Sequence, residues 1–158
     1  METELRELDA DAGQGVAKIS RALIDPTLSS PALGEGTRIV QSAAGELAQL
    51  EVDEHASDFQ QLMAILYQAR AWDDVAIAYE TAAIPASLTP EQRALLERLL
   101  TEKAMPARLS AAAAFQRARE RACKMEFQGS PVMTEILTGL QRYSESPGVS
   151  LDSACTGE

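Results

Sequence analysis

The only imidazole in the chain, His55, sits in the acidic run VDEHASD with Asp53, Glu54 and Asp58 beside it. Such a group invites metal chemistry, but two ligands on one helical face need separations of three or four. Glu54 and Asp58 meet that spacing and supply only oxygens, without the HExxH pattern or a second histidine that a transition-metal site would use. The expected reading is a solvated acidic loop. Nucleophilic chemistry would fall to Cys123 or Cys155, with His55 as the one imidazole able to serve as base. Cys123 lies in a helical, amphipathic run and reads as a small packing residue, and Cys155 falls in a polar tail. Neither has CxxC spacing. Two independent thiols are expected, while a bridge between them is what an oxidising compartment would permit. The chain contains no GxSxG, no phosphate-cradling loop and no dinucleotide fingerprint, because Gly13 and Gly15 lack the preceding strand. The pairs Glu97 with Glu102 and Asp73 with Asp74 show no apolar pocket that would shift their pKa. The expectation is a protein without catalytic residues, cofactor or metal.

Binding chemistry is the alternative. Trp72 and Tyr79 could stack on a ligand, yet their spacing with Val75 and Ala82 marks them as packing residues. Arg117, Arg119, Arg121 and Lys124 could meet an acidic partner, but Glu120 and Glu126 offset them and the group reads as a solvated helix face. Acidic residues number 24 against 14 basic ones, a formal charge of -10, so the average surface repels phosphate backbones and nucleic acid is not an expected partner. A basic protein or peptide is. No apolar run reaches the length of a transmembrane helix, and METELRELDADAG lacks the basic and then apolar regions of a secretory signal. Because a parent protein can extend further at its front, the compartment stays open.

The elements that must position these residues read as helices. Aromatic residues make up only 4% of the chain and alanine is abundant, which favours close helix packing over a sheet sandwich. Leu5, Leu8, Ala12, Val16, Ile19 and Leu23 recur at helical steps, with a break or bend expected near Gly13 because glycine disfavours helix interiors. DPTLSSPALGEG, residues 25–36, reads as a loop. A helix follows from Thr37 to Glu51 on the stripe Val40, Ala43, Ala44, Leu47 and Leu50. Ser57 with Gln60, and Thr89 with Gln92 behind Pro90, form capping boxes that open the next helices. Residues 57–84 read as two short helices turning near Arg70 and Ala71, with Phe59, Leu62, Met63 and Leu66 packing from the first and Trp72, Val75, Tyr79 and Ala82 from the second. Pro106 is expected to kink or end the helix begun at Thr89. Ala111, Phe115 and Ala118 repeat the spacing of Val75, Tyr79 and Ala82, and Ser130-Pro131 starts a last helix ending near Tyr143. The segment beyond it reads as a flexible tail unless Cys155 pins it. The division is therefore 1–36, an amino-terminal helix and loop; 37–143, a helical domain; and 144–158, a tail.

The spacing of residues 57–84 is similar to that of a tetratricopeptide repeat of roughly 34 residues, so an all-α fold of antiparallel helical hairpins, stacked as a short solenoid or bundle, is expected. The run from Trp72 to Tyr143, with LTPEQ at 88–92 and EKAMP at 102–106, resembles the carboxy-terminal part of large tetratricopeptide proteins of deltaproteobacterial cell envelopes. That resemblance implies a non-enzymatic scaffold for a protein or peptide partner in an envelope or periplasmic assembly. A cytoplasmic adaptor or chaperone-like dimer of the same fold is the alternative, and a homo-oligomer is compatible with both. In a stack of helix pairs the partner lies in the groove lined by each first helix, which nominates Gln60, Gln61, Ala64, Tyr67 and Gln68, off the expected core stripe.

Overall fold

The computed structural model describes residues 1–24, 31–127, 129–144 and Cys155. They form five α-helices: α1 (Glu2–Ala22), α2 (Pro31–Glu51), α3 (Asp58–Glu80), α4 (Pro90–Lys124) and α5 (Pro131–Arg142). No strand occurs among the described residues. The all-helical expectation therefore holds, and the starts of three helices follow the residues that cap them. Ser57 Oγ accepts from the Gln60 amide at 3.1 Å while Gln60 Oε1 accepts from the Ser57 amide at 2.9 Å. Thr89 and Gln92 make the same reciprocal pair at 3.2 and 3.0 Å. Ser130 accepts from the Met133 amide at 3.2 Å, with Pro131 in the first helical position. Each box satisfies amides that a helix start leaves open.

Consecutive helices run antiparallel. Gly15 of α1 meets Gly36 of α2, while Leu5 and Leu8 share a cluster with Leu47 and Leu50 at the other end of the pair. A Cβ on Gly15 would lie 2.8 Å from the Gly36 carbonyl oxygen, and one on Gly36 would lie 2.7 Å from that of Gly15. Only residues without a side chain allow backbones this close. Helix α1 is continuous through Gly13, so no break occurs there. Gly13 is exposed with open space around it, and burial of Leu5, Leu8, Ala12, Ile19 and Ala22 on α1 offsets the propensity cost of its glycines, about 1 kcal/mol each. The loop expected through Gly36 is shorter, since α2 begins at Pro31, a residue suited to the first helical turn; residues 25–30 lie outside the described residues.

The largest departure is α3. Residues 58–80 make one helix of 23 residues and the turn at Arg70 and Ala71 does not form, so the hairpin at 57–84 is absent. The segment contains no glycine or proline to end a helix, and Ala69 and Ala71 are both buried. Helix α3 runs through the middle of the molecule. Leu62, Ile65, Leu66 and Ala69 pack with α4 and α5 around Phe115 and Ile136. Ala71, Val75, Ala76 and Tyr79 pack with α1, α2 and the start of α4, and Ala64 joins Leu5 and Leu47. A helix buried on several sides has no single apolar stripe, which is why its pattern resembles two helices facing different ways. Trp72 is half-buried and touches both large clusters. Phe59, expected in the core, is 48% exposed.

Helix α4 likewise continues through Pro106 for 35 residues. Pro106 is exposed while Ala104 and Ala107 beside it are buried, so the carbonyl that loses its donor lies on the solvent side. Of the four leucines expected on one face, Leu96 and Leu100 are buried and Leu95 and Leu99 are outside. The first 36 residues are not peripheral: Ala12, Ile19, Leu23 and Leu33 share a core with Val40 and Val75.

Candidate functional site

The amino-terminal turns of α1 and α3 lie side by side and leave a groove between them. It encloses about 370 Å³ and is lined by Glu2, Leu5, Arg6, Ser57, Phe59, Gln60, Met63 and Tyr67. Its walls follow from helical spacing, because Phe59, Met63 and Tyr67 recur every four residues along one side of α3. Phe59 is held by an edge-to-face contact with Phe127, ring centres 6.1 Å apart. The Arg70 guanidinium lies 5.1 Å over the Tyr67 ring, a favourable arrangement of a cation on a π-face. Polar groups sit at the rim: Arg6 pairs with Glu2 at 3.0 Å. An apolar floor with aromatic walls and a charged rim suits an apolar side chain flanked by polar ones.

A second concavity, also about 370 Å³, lies between α3 and α5 among Arg70, Asp73, Asp74, Glu135 and Arg142. Its charges are spent on one another. Arg70 grips the Glu135 carboxylate with two nitrogens, Nη2 to Oε2 at 2.6 Å. The Tyr143 hydroxyl donates to Asp73, and Arg142 reaches Asp73 at 3.4 Å and Glu80 at 3.6 Å. Burial, reinforced by the bond to Asp73, pushes the Tyr143 phenol well above its usual range, so it stays a donor at every physiological pH. Asp74 is exposed at the edge of the cavity, where partial loss of water around its carboxylate, then the charges of Asp73 and Asp9, raise its pKa despite Arg70 and Arg142. This network fastens α5 to α3.

The nominated residues divide between two sides of α3. Gln60 and Tyr67 line the groove. Ala64 is fully buried beneath it. Gln68 is 6% exposed and donates to Glu51 Oε1 at 2.9 Å, and its own Oε1 accepts from Arg117 at 3.3 Å. Gln61 donates to the Asp53 carbonyl at 2.7 Å and accepts from Arg121. Gln61 and Gln68 are thus engaged with α4 and the end of α2, and Ala64 packs against α1 and α2, so these three bond or pack within the fold. Leu5, Phe59 and Met63 take their place in the groove. Phe59 carried a local signal, standing two residues after the Ser57 cap where a helix end faces solvent, whereas the approach of Leu5 across α1 had none.

The remaining candidates also found neighbours. Arg117 pairs with Glu51 at 3.1 Å and Arg121 binds Gln61, so part of the basic group ties α4 to its neighbours rather than lying solvated. His55 is exposed and its amide donates to Asp53 Oδ1 at 2.9 Å. Among the described residues no three His, Cys, Asp or Glu side chains are placed to hold a metal ion. The two cysteines are not independent: Cys123 and Cys155 form a disulfide across 32 positions. It pins Cys155 against the cluster containing Met125, Phe127 and Val132; sequence spacing could not reveal this, because the α4 end and the tail meet only in the fold. Comparison with protein-family models, curated proteins and solved structures finds no match for the chain. No described helix is long and apolar enough to cross a membrane.

Proposed function

We propose that this chain is a non-enzymatic helical scaffold that binds a basic protein or peptide partner in the groove between α1 and α3, within a bacterial envelope assembly. The observation that carries the reading is Phe59, an aromatic ring left 48% exposed at the mouth of an apolar groove. The net charge of -10 supports a basic partner, since complementary charge speeds encounter. The antiparallel helix pairs support a place among stacked-helix scaffolds, and the likeness of residues 72–143 to envelope tetratricopeptide proteins supports the setting. The Cys123–Cys155 disulfide favours an oxidising compartment over the cytoplasmic adaptor that is the alternative. Thiol titration of freshly isolated protein separates the two, because the adaptor would carry two free thiols.

The binding test uses the oxidised full-length protein and its captured partner. Phe59→Asp should lower the association rate and abolish capture, with helical content unchanged and at most a modest loss of stability from the missing contact with Phe127. The wild-type rate should fall with salt, because attraction between the charged surfaces is screened within about 8 Å at physiological ionic strength. Wild-type association by Phe59→Asp across a salt series would rule out the groove.

A further inference from the structure

The outer face of α4 is apolar. Leu95, Leu99, Met105 and Leu109 are 51, 38, 45 and 49% exposed, and at 3.6 residues per turn they fall opposite the buried Leu96, Leu100, Ala104 and Ala107. Half of the large hydrophobic side chains exposed among the described residues are on this strip. It extends about 21 Å along the helix, with exposed Pro106 on the same side.

The order of residues along the strip specifies its occupant. The four side chains are symmetric about Glu102: Leu99 and Met105 stand three positions to either side, Leu95 and Leu109 seven. A second α4 laid antiparallel, with its Glu102 at the same level, sets Leu95 against the second copy's Leu109 and Leu99 against its Met105. Each relation is repeated on the other side of the axis. Arg98, one turn before Glu102, then lies within reach of the second copy's Glu102, so the two central carboxylates are flanked by two guanidiniums. Neither Arg98 nor Glu102 is in an ion pair among the described residues. A two-fold contact must be complementary to itself, and an unrelated partner would require no such symmetry. We propose that this strip is the interface of a homodimer in which α4 pairs antiparallel with α4 of a second copy, centred on Glu102. One helix from each copy makes a small interface, so the dimer is weak and concentration-dependent. The α1–α3 groove takes no part in it.

Sedimentation velocity of the oxidised full-length chain should show a shift from monomer to dimer as concentration rises. Leu99→Arg should leave a monomer of unchanged helical content. Arg98→Glu and Glu102→Arg should each weaken self-association about tenfold. An equimolar mixture of those two variants should recover the dimer, because one copy then carries acids and the other bases at both positions. Wild-type protein that stays monomeric at every concentration overturns the proposal. So does a dimer indifferent to Leu99→Arg, or a variant mixture that associates no better than either variant alone.

Discussion

Asp74 shows how partial loss of water and nearby like charges act on an exposed side chain at the edge of a cavity. Its carboxylate has a raised pKa, chiefly through lost hydration, in a cavity where Asp73 and Asp9 add like charge. A group whose pKa is higher in the folded state favours folding at pH values below its unfolded pKa. That contribution is lost as pH rises through the folded value. At neutral pH the ionised Asp74 is therefore slightly unfavourable, an effect that water screens because the residue is exposed, and Asp74→Asn should raise the melting temperature by no more than a small amount at about pH 7. The gain should shrink as pH falls toward the ordinary carboxylate range. Thermal melts of both proteins across pH check this, and a gain independent of pH would assign the effect to something other than the charge. Tyr143 stands on the opposite side of the balance, as a buried neutral donor that satisfies Asp73.

Among the helices, the glycines separate into those that shape a contact and those that merely weaken an element. Gly13 and Gly45 face open space, whereas Gly15 and Gly36 touch across the α1–α2 crossing. Gly13→Ala and Gly45→Ala should each stabilise by about 1 kcal/mol. Gly15→Ala should destabilise by about 1 to 3 kcal/mol, because the added methyl meets backbone and the β-branched Val40. Chemical denaturation midpoints at unchanged slope measure both. The sequence reads well where information is local: the boxes at Ser57 and Thr89, the stripe of α2, and the proline start at 131. It misleads where tertiary contact decides. Helix α3 looks like two helices because different partners bury its two halves, and a glycine pair at a helix crossing looks like a break. The groove was half legible, through Gln60 and Tyr67, because assigning a face of α3 to solvent requires knowing that α1 lies across it.

The whole molecule is closed by the bridge from the end of α4 to Cys155. In the chain-entropy picture a crosslink across 32 positions restricts the unfolded state by about 3 to 4 kcal/mol. Cys155→Ser, or reduction of the native protein, should lower stability by up to that amount, measured by denaturation with and without reductant. Identical midpoints would mean that the linked segment is equally restricted without the bond. Trp72, the chain's only tryptophan, touches both large clusters from the middle of α3. Its indole is thus a built-in optical gauge of the seam between the two halves. If both halves unfold together, its emission and the far-ultraviolet ellipticity will trace one curve. If the disulfide-bearing half outlasts the other, emission will shift while part of the helical signal persists.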